Sequence, residues 1–75
     1  MGLSATDKLK LEEFERAFLS QRRPPEMQPL CEAGVALARR ILEICPDSRR
    51  RDVALEYLDD ALIFAHAAFA RQHES

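Results

Sequence analysis

The sequence predicts an all-α protein: a short N-terminal helix followed by a long antiparallel αα-hairpin, assembled as a homo-oligomer. Three observations predict the helices. Apolar residues recur three and four apart through most of the chain, the period of a helix face. The chain has two Gly and few β-branched residues, too little turn and strand material for an all-β fold. Prolines stand only at the joints between the periodic segments, where a helix must stop or start. With 75 residues, 47% hydrophobic and 32% charged, residues 1–75 form one domain and not a disordered tail.

Helix 1 is expected over about residues 6–19. Ser4 or Thr6 can cap it, and Asp7 places negative charge in its first turn, where the helix dipole favours it. Leu11, Phe14 and Phe18 make one apolar stripe among Lys and Glu. Pro24-Pro25 ends any helix before it.

Helix 2 is expected over about 25–44, starting at Pro25 or Pro29, since proline is tolerated in a first turn. Met27, Leu30, Gly34, Leu37, Ile41 and Ile44 are spaced 3, 4, 3, 4, 3, a heptad-type seam. Gly34 on it admits a close-packed neighbour. Cys31, Val35, Ala38, Leu42 and Cys45 form an adjoining stripe. The two cysteines are fourteen residues apart, about 21 Å along a helix. They cannot form a disulfide within the chain, and reduced, core-facing thiols are expected.

Pro46 stops helix 2, and Asp47 or Ser48 caps helix 3, expected over about 48–72. So short a link makes the two helices antiparallel neighbours. Leu55, Leu58, Leu62, Ala65 and Phe69 make the hairpin-facing seam. From Ala61 to Ala70, nine of ten residues are apolar. A helix apolar all round is buried on all sides, and helix 1 is too short and narrow to cover it. A chain below ~80 residues also gains little from one small core. Helix 3 is therefore expected at an interface between copies, with Ala61, Ala65, Ala67, Ala68 and Ala70 allowing close packing.

The composition excludes several function classes. No stretch approaches ~20 apolar residues, so no membrane span is expected. The N-terminal residues lack the regions of a signal peptide, which points to the cytoplasm. Met1-Gly2 with Thr6 matches the short myristoylation pattern, though a start-site glycine explains it as well. A net charge of −2 argues against duplex nucleic acid. His66 and His73 are two turns apart, about 10 Å, too far to share one tetrahedral ion. Neither metal nor cofactor is expected. Ser4, Ser20, Ser48 and Ser75 fall at caps or termini, and the thiols fall in apolar stripes, so no nucleophile and base are set up for catalysis.

The basic residues are nine Arg against two Lys, clustered as Arg22-Arg23, Arg39-Arg40 and Arg49-Arg50-Arg51. Arg binds phosphate and carboxylate bidentately and stacks on bases. Arg39 and Arg40 are expected to pair with Asp52 or Glu56 across the hairpin. That pairing also accounts for the acidic residues Glu56, Asp59 and Asp60, which could otherwise act as an acid/base pair. Three guanidinium groups in the first turn of helix 3 are locally unfavourable. They point to an anion nearby, although Asp47 and Asp52 partly neutralise them.

From Pro46 the sequence becomes recognisable. Pro46-Asp47-Ser48-Arg49, then Ala54-Leu55, Leu58, Asp59-Asp60-Ala61 and finally Ala67-Ala68-Phe69-Ala70-Arg71 resemble the C-terminal part of the phage anti-CBASS cyclic-nucleotide sponges. Those share a hairpin domain with certain Thoeris anti-defence proteins. The resemblance covers about residues 27–71 and also takes in Ala36-Leu37-Ala38 and Ile41. It implies a hexameric helical assembly without catalysis. Such an assembly sequesters cyclic di- or trinucleotide second messengers of bacterial immunity in the cytoplasm of the host cell. Arg71 matches the terminal Arg of the family and is the expected phosphate contact. Arg22, Arg23 and Arg49 are further phosphate candidates, and Phe18 or Tyr57 is the candidate base stacker. The family carries a Tyr before the prolines and a basic residue early in its second helix; Phe18 and Cys31 stand nearest those positions here. The alternative is a helical interaction module that binds another protein through helix 3.

Overall fold

A computed structural model describes residues 2–20 and 22–72; His73 and the start residue Met1 lie outside the described residues. All regular structure within them is helical. The elements are α1 (Ala5–Phe18), a single 3₁₀ turn (Pro25–Met27), α2 (Gln28–Ile44) and α3 (Arg49–Gln72).

Local chemistry fixes each boundary. Ser4 caps α1, its Oγ accepting from the Asp7 N–H at 3.1 Å. At the far end the Ser20 hydroxyl donates to the Arg16 carbonyl, and the Arg23 guanidinium donates to the Ala17 carbonyl at 2.8 Å, so two side chains close α1. The 3₁₀ turn opens on Pro25 and leads into α2, whose first turn holds Pro29. α2 ends where Cys45 turns extended, φ −91° and ψ 136°, the conformation that the following Pro46 favours. Ser48 caps α3: its Oγ accepts from the Arg51 N–H at 3.2 Å.

α2 packs against both α1 and α3. The core joins Leu11 and Phe18 of α1, Cys31, Val35, Ala38 and Leu42 of α2, and Leu55 and Leu62 of α3, with Phe14, Ile41 and Leu58 packed against it. Gly34 supplies the close approach: a Cβ there would lie 2.6 Å from Leu62 Cδ1.

Of the two stripes on α2, the structure buries the second as far as Leu42 and half of the first: Met27 and Gly34 are buried and Ile41 packs on the core. Cys31, Val35, Ala38 and Leu42 face the core, while Leu30, Leu37 and Ile44 of the heptad seam are exposed. α1 lies over one side of α2, and the seven-residue series 30, 37, 44 falls away from it. Cys45 departs from expectation: it is exposed, because the chain leaves the helical path there. Cys31 is the core thiol.

Candidate functional site

The three arginines at the start of α3 have different fates. Arg51 is 4% exposed. It sits one turn before Leu55, on the inward face of α3. Its guanidinium makes a fork with Asp7: Nη2 to Oδ1 at 2.9 Å and Nη1 to Oδ2 at 3.3 Å. Nη1 also donates to the Cys45 carbonyl at 3.4 Å, and Nη2 lies 3.2 Å from Asp47. Arg51 thus ties α1, the α2–α3 link and α3 into one unit. The cluster expected to attract an external anion already holds two internal carboxylates at its buried member. Arg49 and Arg50 remain exposed.

Phe18 is also corrected. It is 4% exposed, its ring lies 5.7 Å from that of Phe14, and Arg23 Cζ sits 5.5 Å from its centroid. A ring in the core with a guanidinium over it offers no face to a base. Arg23 is committed with it, capping α1 and covering Phe18. Tyr57, the other candidate stacker, is exposed.

The expected pairing of Arg39 and Arg40 with Asp52 or Glu56 does not form. Arg39 pairs along its own helix with Glu43 at 3.6 Å, and Asp52 takes Lys10 of α1 at 3.3 Å. α1 lies beside the start of α3 and intercepts Asp52. Glu56 and Asp59 instead line a cleft between α1 and α3, with Phe14, Ala17 and Leu55 as its floor and Glu13, Asp52 and Lys10 at its rim. An anion in that cleft would meet four carboxylates and one ammonium, so the cleft suits cations or basic side chains. Asp60 is exposed outside it, and among the described residues no group of three or more His, Cys, Asp and Glu could hold a metal ion. His66 is half-buried on α3.

The remaining basic candidates are exposed and spread apart. Arg49 and Arg71 stand at opposite ends of α3, about 33 Å apart at ~1.5 Å per residue. Arg22 lies in the link before α2. Because Gly34 meets Leu62, the start of α2 and the end of α3 lie at the same end of the bundle, which groups Arg22 with Arg71. Tyr57 is fourteen residues from Arg71, about 21 Å along the helix. One chain therefore does not bring all four candidates to one ligand.

No protein family, curated protein or solved structure matches the chain. Among the described residues, no helix is long and apolar enough to cross a membrane.

Proposed function

We propose that the protein is a non-catalytic, self-assembling binder of cyclic di- or trinucleotides, made of hairpin-type copies and acting in the cytoplasm. It would withdraw these second messengers from a bacterial anti-phage response. The ligand class comes from the resemblance of residues 27–71 to the cyclic-nucleotide sponges. One observation carries it further. Among the described residues, Arg22, Arg49, Arg50 and Arg71 are exposed without a carboxylate partner, in a chain whose net charge is −2. Exposed, unpaired guanidinium groups are suited to bidentate phosphate contacts. Their separation along one chain makes a site shared between copies the economical arrangement, since symmetry repeats the same groups around a cyclic ligand. Arg71 is the leading phosphate contact, and Arg22 and Arg49 are secondary ones.

A second reading has its own observation. The acidic, apolar-floored cleft between α1 and α3 and the exposed apolar surface of α3 suit a protein partner, so a helical interaction module is the alternative.

Native mass spectrometry with a mixture of cyclic di- and trinucleotides separates the two. A closed oligomer retaining a stoichiometric nucleotide is expected, and Arg71→Ala should abolish retention while leaving the oligomer intact. A nucleotide held equally well by Arg71→Ala, or none held by the native chain, sinks the sponge assignment.

A further inference from the structure

We propose that the outer face of α3 is a self-association seam that takes an antiparallel second copy of the chain. This rests on the self-assembling reading above and names its surface. α3 carries two heptad seams. The inner one, Arg51, Leu55, Leu58, Leu62, Ala65 and Phe69, is spaced 4, 3, 4, 3, 4, and its Leu residues pack in the core. The outer one, Arg50, Ala54, Tyr57, Ala61, Phe64, Ala68 and Arg71, is spaced 4, 3, 4, 3, 4, 3. Neither α1 nor α2 covers it. Tyr57 is 71% and Phe64 72% exposed, Ala61 and Ala68 are exposed, and Ala54 is half-buried.

Three observations select a second copy as the occupant. The first is area. The chain exposes 5721 Å², whereas a compact monomer of 8.6 kDa exposes about 4,700 Å². The excess of about 1,000 Å² belongs to the whole elongated chain, 46 × 21 × 14 Å, and leaves room for the ~800 Å² each partner contributes to a standard interface. The second is shape. Aromatic and alanine positions alternate along the seam, so the seam is complementary to itself when inverted. With Tyr57 against Ala61 of the second copy, Phe64 falls against Ala54 and Arg50 against Ala68, a large residue on a small one at each step. A parallel copy would set aromatic on aromatic, alanine on alanine, and Arg50 and Arg71 each on its own like charge.

The third is charge. The same antiparallel register carries Arg71 beside Asp47 of the second copy, a carboxylate 80% exposed despite its contact with Arg51. Each end of the seam therefore meets an opposite charge while Arg71, at the open rim, stays accessible to a phosphate, and the contact requires no filament, because a two-fold contact of this kind is closed.

Sedimentation equilibrium of the full chain tests the seam. The native chain should sediment as a multiple of 8.6 kDa. Phe64→Glu, with Tyr57→Glu as a second variant, should lower the association constant at least tenfold while far-UV circular dichroism stays unchanged. Leu37→Glu, on the exposed stripe of α2, should assemble like the native chain. Orientation is read in a Cys45→Ser background by mixing Tyr57→Cys with Ala61→Cys: oxidation should give chiefly the mixed cross-link.

Native-like assembly of both Glu variants would overturn the seam and leave self-assembly standing. Dissociation by Leu37→Glu alone would move the interface to α2. Cross-links formed only between identical variants would overturn the antiparallel register. A native chain that stays at 8.6 kDa at every concentration would overturn self-assembly and the seam together.

Discussion

The two halves of α3 invert the usual relation between polarity and burial. The first half reads Arg-Arg-Arg-Asp-Val-Ala-Leu-Glu and is braced by α1 through Asp7–Arg51 and Lys10–Asp52. The second half, Ala61–Ala70, is almost wholly apolar, yet Leu62 is its one buried residue. A guanidinium at position 51 is 4% exposed while a phenyl ring at position 64 is 72% exposed. Topology explains the difference. α1 has 14 residues and α3 has 24, about 21 and 36 Å at ~1.5 Å per residue. α1 starts beside Arg51 and runs out before α3 does. The polar half buries Arg51 and Leu55 because the fold covers one of its faces. The apolar half is exposed because a single chain has nothing left to cover it with.

Breaking the braced half should have the largest effect. Arg51→Ala leaves Asp7, nearly buried, without its cation, and the Cys45 carbonyl without its donor. Removing one member of a buried pair costs about 3–5 kcal/mol. Asp47 is exposed and can rehydrate, so a loss near 3 kcal/mol is expected. Urea denaturation at fixed protein concentration measures it, and a loss below about 1 kcal/mol would show that Arg51 is dispensable to the fold. The cap of the same half is a smaller matter. Ser48→Ala removes the acceptor for the Arg51 N–H, and caps of this kind contribute about 1 kcal/mol; the same titration should show a shift of that order.

These contrasts also show what was legible in the sequence. Helix boundaries were, because their causes are local: Ser4, Pro24-Pro25, Pro29, Pro46 and Ser48 act within a turn of where they stand. The expected spans 6–19, 25–44 and 48–72 differ from the observed ones by a residue or two at most ends. At the start of helix 2 the turn over Pro25–Met27 is 3₁₀. The fate of Arg51 was half legible. Its place four residues before Leu55 puts it on the inner seam, but its partner Asp7 is 44 residues away and leaves no mark on the local pattern. Phe18 continues the stripe of Leu11 and Phe14, which marks it as core despite its place before the prolines. The two stripes of α2 were not separable, since either could face the neighbouring helices. Of the candidate ligand residues, Arg22, Arg49, Arg71 and Tyr57 are left exposed, whereas Arg23 and Phe18 are taken up by each other.

The smallest expected effect sharpens the comparison most. Replacing a large aromatic residue by Ala in a core costs about 3–5 kcal/mol. At position 64 the ring is 72% exposed, so Phe64→Ala removes little buried area. Ala is also the better helix former, by a few tenths of a kcal/mol. At protein concentrations where the chain is monomeric, Phe64→Ala should therefore change stability by no more than about 0.5 kcal/mol, the range of surface substitutions. At concentrations where copies associate, the native chain gains stability by mass action and Phe64→Ala does not gain as much. Thermal melts over a hundredfold range of concentration separate the two regimes. A gap between native and variant that widens with concentration assigns the exposed half of α3 to an interface. A gap of 2 kcal/mol already present in the dilute monomer would mean that one chain buries Phe64 by itself, and the contrast between the two halves of α3 would disappear.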